Sequence, residues 1–222
     1  MCGRFTVATD PALLAERFAA AMPEGWTERY NVAPSQQVAA MRQREGGPQI
    51  EFLKWGLVPH WAKDPKVAYK MINARSETVM QRNAYRPLLS KGRCLLLADG
   101  FYEWRTDPDG KRRPVRFTLT GGEPFAFAGL WTTWRDPESA EPLETCTILT
   151  TTANVVVAPV HDRMPVMLPR AAESTWLDLS RPVEDALALL VPYDPADMAA
   201  AEASLLVNSP RNDTPECLDP LA

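Results

Sequence analysis

The chain has 222 residues, 45% of them hydrophobic and 23% charged, with a formal net charge of −4. That balance fits one globular domain across residues 1–222 with ample material for a core, and it excludes a disordered or collagen-like chain. No apolar run approaches the ~18 residues of a transmembrane helix, and MCGRFTVATD lacks a signal-peptide apolar region, so a cytoplasmic protein with no membrane partner is expected.

Proline is abundant, 21 residues against 11 glycines, which favours many short elements joined by rigid connections over a helical bundle. In chain order, Asp10 followed by Pro11 reads as an N-cap with Pro in the first turn, and Leu14 and Phe18 repeat at i, i+4, so a helix is expected across about 10–21. YNVAPSQQVAAMRQ and IEFLKWGLVP read as strands separated by the EGGP turn. HWAKDPKVAYK reads as a polar loop bearing aromatics, and Ser76 to about Ala84 as a short helix stopped near Pro87. CLLLADGFYEW, VRFTLT, FAFAGLW, ETCTILTT and MPVML read as strands, punctuated by DPDGK, GGEP and RDPESAEP. The last quarter reads as helical, over 171–178, 183–190 and a helix opening at Asp194 and Pro195. Strands in the middle and helices at both ends give an α+β fold with a mostly antiparallel, barrel-like core. Alternating βαβ units and a G-x-G-x-x-G loop are both absent, which argues against a doubly wound nucleotide-binding fold.

The four cysteines, Cys2, Cys94, Cys146 and Cys217, form no CxxC pair, and only His60 and His161 could join them as soft ligands, so no metal site is expected. Cys94 and Cys146 sit in apolar, strand-like runs and read as buried core thiols. Cys2 differs: so near the chain start, burial as core filling is hard to arrange. Removal of Met1 before this small residue makes Cys2 the first residue, with an α-amine (pKa ~7.7–8.0) and a thiol (~8.5) on one carbon framework. A 1,2-aminothiol reacts with an aldehyde in a way no interior cysteine can. The amine condenses to an imine, and the thiol then closes a five-membered thiazolidine.

Charge is unevenly spread. Lys54 to Arg93 holds nine basic residues against Asp64 and Glu77, a local +7, whereas 171–222 carries Arg181 and Arg211 against ten carboxylates, a local −8. Aromatics interleave with the basic stretch (Trp55, Trp61, Tyr69, Tyr85), a combination used to stack bases beside phosphates, although Trp55 also reads as core. In ADGFYEW, Glu103 is flanked by Phe101, Tyr102 and Trp104, where desolvation raises a carboxyl pKa and suits it to acid–base work. In NARSET, Asn73 and Arg75 alternate along an extended segment, an amide donor and a phosphate-binding guanidinium. In VVVAPVHDRMPVML, His161 follows an apolar run and precedes Asp162 and Arg163, with a packing role as the alternative to a catalytic one.

The set MCGRF, YNVAPSQ, WGLVPHWA, NARSET, ADGFYEW, AGLW and HDRMP, in this order across roughly 1–170, with weaker similarity around VNSPRND, resembles the SOS-response-associated peptidase family, also called abasic-site processing proteins. The resemblance implies that Cys2, freed of Met1, forms a thiazolidine with the ring-opened aldehyde of an abasic site in single-stranded DNA. Asn73 would orient the Cys2 end, Glu103 would assist sugar ring opening and proton transfer, and His161 would act at the sugar oxygen in opening and in crosslink reversal. Arg4, Arg75 and Thr150 would hold flanking phosphates, while Pro34 and Trp61 kink or stack the strand. No metal or organic cofactor is implied; the partner is abasic single-stranded DNA, bound by a monomer that associates with the nucleoid. The family name also records a peptidase activity, autolytic removal of Met1. Three other readings stay open on the residues alone: an N-terminal-nucleophile amidohydrolase, a cysteine peptidase using Cys2, Glu103 and His161, and a DNA-binding module without chemistry.

Overall fold

A computed structural model describes residues 2–220; Met1, whose removal the sequence leads one to expect, lies outside the described residues, as do residues 221 and 222. Five strands close a ring. β3 (Gln37–Arg44) pairs with β4 (Gly47–Trp55) and with β6 (Arg93–Ala98), β6 with β9 (Phe125–Arg135), β9 with β10 (Pro142–Thr152), and β10 returns to β4. Every pairing in the ring is antiparallel except β4 with β10. The expected α+β, barrel-like core is therefore present as a closed barrel. At Gly129 a Cβ would lie 2.1 Å from Leu96 Cδ1 and 3.0 Å from Cys94 Sγ, so only glycine lets β6, β9 and β10 approach this closely.

A second, five-stranded sheet runs in the order β13 (Met198–Glu202), β8 (Arg112–Leu119), β7 (Gly100–Thr106), β1 (Phe5–Val7), β2 (Arg29–Val32). It joins the barrel through aromatics: between ring centroids Phe5 lies 5.1 Å from Trp55 and 5.7 Å from Phe127, and Phe101 lies 6.2 Å from Phe127. Trp55, Cys94 and Cys146 are buried in this core, as the apolar runs around them suggest. Two short pieces hang from β10. β5 (Asn73–Arg75) runs parallel to it with Asn73 opposite Ile148 and Arg75 opposite Thr150, and β11 (Arg163–Pro165) runs antiparallel, after which β12 (Met167–Leu168) pairs antiparallel with β9.

Apart from the one at Arg170–Leu177, which keeps its expected length, the helices are shorter than their sequences suggest. α1 spans Pro11–Phe18, with the Asp10 side chain accepting from the Ala12 amide, and stops at Ala19 in the left-handed region. Ser76–Gln81 is 3-10 helix, and so is Pro65–Lys70 inside the expected loop. α2 (Leu88–Lys91), α3 (Arg170–Leu177) and α4 (Val183–Leu187) brace the barrel. The helix expected at Asp194 and Pro195 is one 3-10 turn, Pro195–Asp197, after which Met198–Glu202 pairs with β8 as an edge strand. Tertiary pairing there overrides the helix propensity of the alanines.

The basic stretch also divides. Arg93 is fully buried, its guanidinium donating to the carbonyls of Leu89, Trp176 and Asp178, so it closes helix ends rather than meeting a ligand. Tyr85 is buried too, whereas Trp61 and Tyr69 are 59% and 69% exposed. Among the described residues no helix is long and apolar enough to cross a membrane, and no group of three His, Cys, Asp or Glu residues is placed to hold a metal ion.

Candidate active site

An open pocket of about 510 Å³ is lined by Arg4, Glu103, Trp104, Arg112, His161 and Asn208. Each arrives on a different argument of local structure. Glu103 follows Phe101 by two residues on β7 and so shares its inward face, which leaves its carboxyl buried. Burial raises its pKa above the usual carboxylate range, opposed by the field of His161. Cys2 is not among the lining residues; the segment leading into β1 sets it within the field of Glu103, and the Tyr102 amide holds that segment by donating to the Arg4 carbonyl at 2.9 Å.

Contrary to the expectation that the chain start stays out of the core, Cys2 is fully buried. Two contacts explain how. Asn73 Nδ2 donates to the Cys2 carbonyl at 2.8 Å, and the Cys2 thiol faces the Arg4 carbonyl at 4.0 Å. Burial, and then the Glu103 carboxylate, push the thiol pKa well up, so Cys2 is held as a neutral thiol. Asn73 is set by β5, which β10 orders by parallel pairing and Trp55 fixes by donating its indole N–H to the Ile72 carbonyl at 2.9 Å.

His161 closes the apolar 154–160 segment, its backbone amide donating to the Val157 carbonyl at 3.0 Å. The Arg163 amide donates to His161 Nδ1 at 2.9 Å, and the Asp162 carboxylate lies 3.0 Å from the same nitrogen; a neutral ring that accepts from Arg163 carries its proton on Nε2. Arg163 in turn grips Glu77 through both guanidinium nitrogens (2.5 and 2.9 Å) and donates to the Thr150 carbonyl at 2.8 Å. The short strap carrying His161 is thus tied to the segment that follows Arg75.

The remaining sequence-selected residues lie around this centre. Arg75 is exposed on β5. Thr150 is buried on β10 and donates to the Ala74 carbonyl at 3.5 Å. Pro34 is half-buried in a tight turn whose next residue, Ser35, has φ 74°, and Trp61 stands exposed after the Trp55–Pro59 segment. Arg4 is anchored at Nη1, which donates to Asn31 Oδ1 at 2.8 Å and to the Val207 carbonyl at 2.6 Å.

The sequence reading missed Asn31, Arg112 and Asn208. Asn31 is fully buried; its amide donates to the carbonyls of Ser209 (3.0 Å) and Asn212 (2.6 Å), and its backbone amide donates to Asp213 Oδ1 at 2.8 Å. This seats residues 207–213 against β2 and brings Asn208 Oδ1 to accept from the Trp104 indole N–H at 2.7 Å. A polar Asn between Tyr30 and Val32 was the available signal, of the same kind as Glu103 among aromatics.

Chemically, the arrangement joins an N-proximal thiol, an amide that pins its carbonyl, a carboxyl of raised pKa and an imidazole presenting an N–H, under a rim of guanidinium groups. The family model described as SOS response associated peptidase (SRAP) matches residues 1–210. The abasic site processing protein YoqW of Bacillus subtilis (strain 168) is 46% identical over 225 residues, covering 99% of each chain. The abasic site processing protein HMCES of Gallus gallus is 38% identical over 192 residues, covering 76% of this chain and 56% of that one. Among solved structures, a protein from Bacteroides thetaiotaomicron has the same fold, with a TM-score of 0.90 at 22% identity over the whole of both chains. One from Bordetella bronchiseptica gives 0.81 at 29% identity, over 92% of this chain and 100% of that one.

Proposed function

The chain belongs to the SOS response associated peptidase family, and from that premise we propose that it processes abasic sites in single-stranded DNA by covalent capture through Cys2. The observation that carries the reading is the seat of Cys2: its carbonyl is held by Asn73 while its thiol lies within the field of a buried carboxyl, Glu103, that also lines the pocket with His161.

The chemistry requires hydrolysis of the Met1–Cys2 peptide bond, which consumes one water and exposes the α-amine. An abasic sugar rests mainly as the closed hemiacetal. His161, with its Nε2–H, donates to the sugar ring oxygen as the ring opens, and Glu103 takes the proton from the anomeric hydroxyl. The Cys2 amine adds to the aldehyde carbon and the oxygen departs as water, giving an imine. The Cys2 sulfur then bonds that carbon and its thiol proton passes to the nitrogen, closing the thiazolidine. Overall one water leaves and no oxidant or reductant is needed. Release consumes one water: the C–S bond reopens as a proton returns to sulfur, water hydrolyses the imine to aldehyde and amine, and His161 aids sugar ring closure.

The raised thiol pKa also weighs against the peptidase alternative. A cysteine peptidase needs a thiolate, and at Cys2 burial and the Glu103 carboxylate disfavour one more than nearby positive charge favours it. In thiazolidine closure the thiol proton passes to the imine nitrogen as the C–S bond forms, so no standing thiolate is needed. The protein acts as a monomer on the exposed strand in the cytoplasm, at the nucleoid when bound.

The test is a denaturing gel of purified protein with a single-stranded oligonucleotide carrying one abasic site. A covalent band is expected for the wild type, none for Cys2→Ala, and intact mass should show loss of Met1. A wild-type-strength adduct from Cys2→Ala overturns the mechanism.

A further inference from the structure

The hairpin of β7 and β8 is crowded with cations, and nearly all are spoken for. Arg105 donates to Asp107 at 2.9 Å and to Glu202 at 2.5 Å, and Arg113 to Asp107 at 2.5 Å. Lys111 sits 3.1 Å from Asp109, and Arg116 3.2 Å from Asp99. Arg112 is the exception: among the described residues it takes part in no ion pair and no side-chain hydrogen bond, yet it lines the pocket with Glu103 and His161. Its guanidinium carbon lies 5.8 Å from the Trp104 ring centroid, a ring that Arg4 also approaches at 5.6 Å.

These two arginines differ in freedom. Arg4 is anchored to Asn31 and to the Val207 carbonyl, whereas Arg112 is exposed and rests on the indole alone. An exposed cation–π contact is worth only ~0.5–1 kcal/mol, while a phosphate offers a bidentate, charge-assisted partner. Trp104 cannot follow an incoming ligand, because its N–H is held by Asn208. We propose that Arg112 is a strand-selecting residue, which leaves the Trp104 face to grip the phosphodiester next to the reacting sugar and so favours an aldehyde within a nucleic acid strand over a free one.

The proposal rests on the reading of the pocket as the site of abasic-strand capture, and it deepens that reading by naming what separates a lesion from a free aldehyde. The strand supplies the phosphate, and the free sugar, deoxyribose, supplies the same aldehyde without it. The experiment compares wild type, Arg112→Ala and Arg112→Lys in two assays. In the first, binding of a single strand carrying a tetrahydrofuran abasic analogue, which has no aldehyde, is measured against salt. Arg112→Ala should bind on the order of 10-fold more weakly and lose about 0.7 from the slope of log affinity on log salt, the share of one phosphate on a single strand, and Arg112→Lys should recover the slope. In the second, capture of an abasic oligonucleotide and of deoxyribose is followed by intact mass, and the ratio of the two rates should fall by about the same factor in Arg112→Ala. Unaltered analogue binding and salt slope in Arg112→Ala, or an equal loss of both capture rates, overturns the role of Arg112. A wild type that captures neither aldehyde overturns the reading of Cys2 instead, and the analogue measurement still decides on Arg112.

Discussion

Two clusters of arginine and glutamate in this molecule use the same side chains to opposite effect. On the barrel wall, buried Arg42 donates to Glu51 (2.6 Å) and to both oxygens of Glu144 (2.9 and 2.5 Å), with the Trp131 ring 4.1 Å from its guanidinium carbon and Arg44 completing the set on Glu51. The hydrogen bonds from Arg42 and Arg44 pull the Glu51 pKa down to about 2. In the pocket, Glu103 lies near Arg112 and His161, yet burial prevails and its pKa is raised. A carboxylate met by direct guanidinium bonds is fixed in one charge state. A carboxyl whose pKa burial raises holds its proton to higher pH than a free one, which suits Glu103 to the proton transfer proposed for it.

Substitutions at the two glutamates test this contrast. Glu103→Gln keeps the shape but accepts no proton, so capture of abasic DNA should slow by ~10²-fold or more in single-turnover measurements. In the wild type, capture should fall as pH drops through the raised pKa of Glu103, and the variant should lack that limb. A wild-type rate for Glu103→Gln breaks the comparison at its reactive end. Arg75→Ala, which removes an exposed cation from β5, should weaken binding of the single strand by roughly 1–2 kcal/mol irrespective of sequence, read from titrations at fixed salt. Binding that does not change, or a preference for blunt duplex, counts against a strand running past β5. The smallest effect is expected on the barrel wall. The folded pKa of Glu51 lies below its unfolded value, so its stabilisation is complete above about pH 4.5 and disappears as pH falls toward 2. Glu51→Gln should cost on the order of 1 kcal/mol at neutral pH, after allowance for partial exposure, and flatten the loss of stability across that window in denaturant titrations. Capture by Glu51→Gln should match the wild type, and a slowed reaction breaks the comparison at its structural end.

Much of this was legible beforehand where local pattern and tertiary demand agree. The apolar runs at Cys94–Ala98 and Phe125–Leu130 are strands because both faces of these segments are buried, and Glu103 stood out as a charge among aromatics. Legibility failed where partners distant in sequence decide. Ala199–Ala201 has a helical composition but pairs with β8 as an edge strand. Arg93 reads as a surface charge until three carbonyls surround it, two of them more than 80 residues away. Cys2 is enclosed by Asn73, 71 residues on, and nothing in MCGRF indicates that. Among the described residues Arg112, unlike Arg105 and Arg113, has no carboxylate at ion-pair distance, which no one-dimensional pattern records.

The clamp at Asn31 has a consequence for how the pocket wall comes apart. The Val207 carbonyl anchors Arg4, Asn31 holds the segment through the Asn212 carbonyl, and Asn208 in the same segment fixes the Trp104 indole. Local opening of 207–213 therefore frees Arg4 and Trp104 in one event, so this wall is a single joint that loosens as a unit rather than one residue at a time.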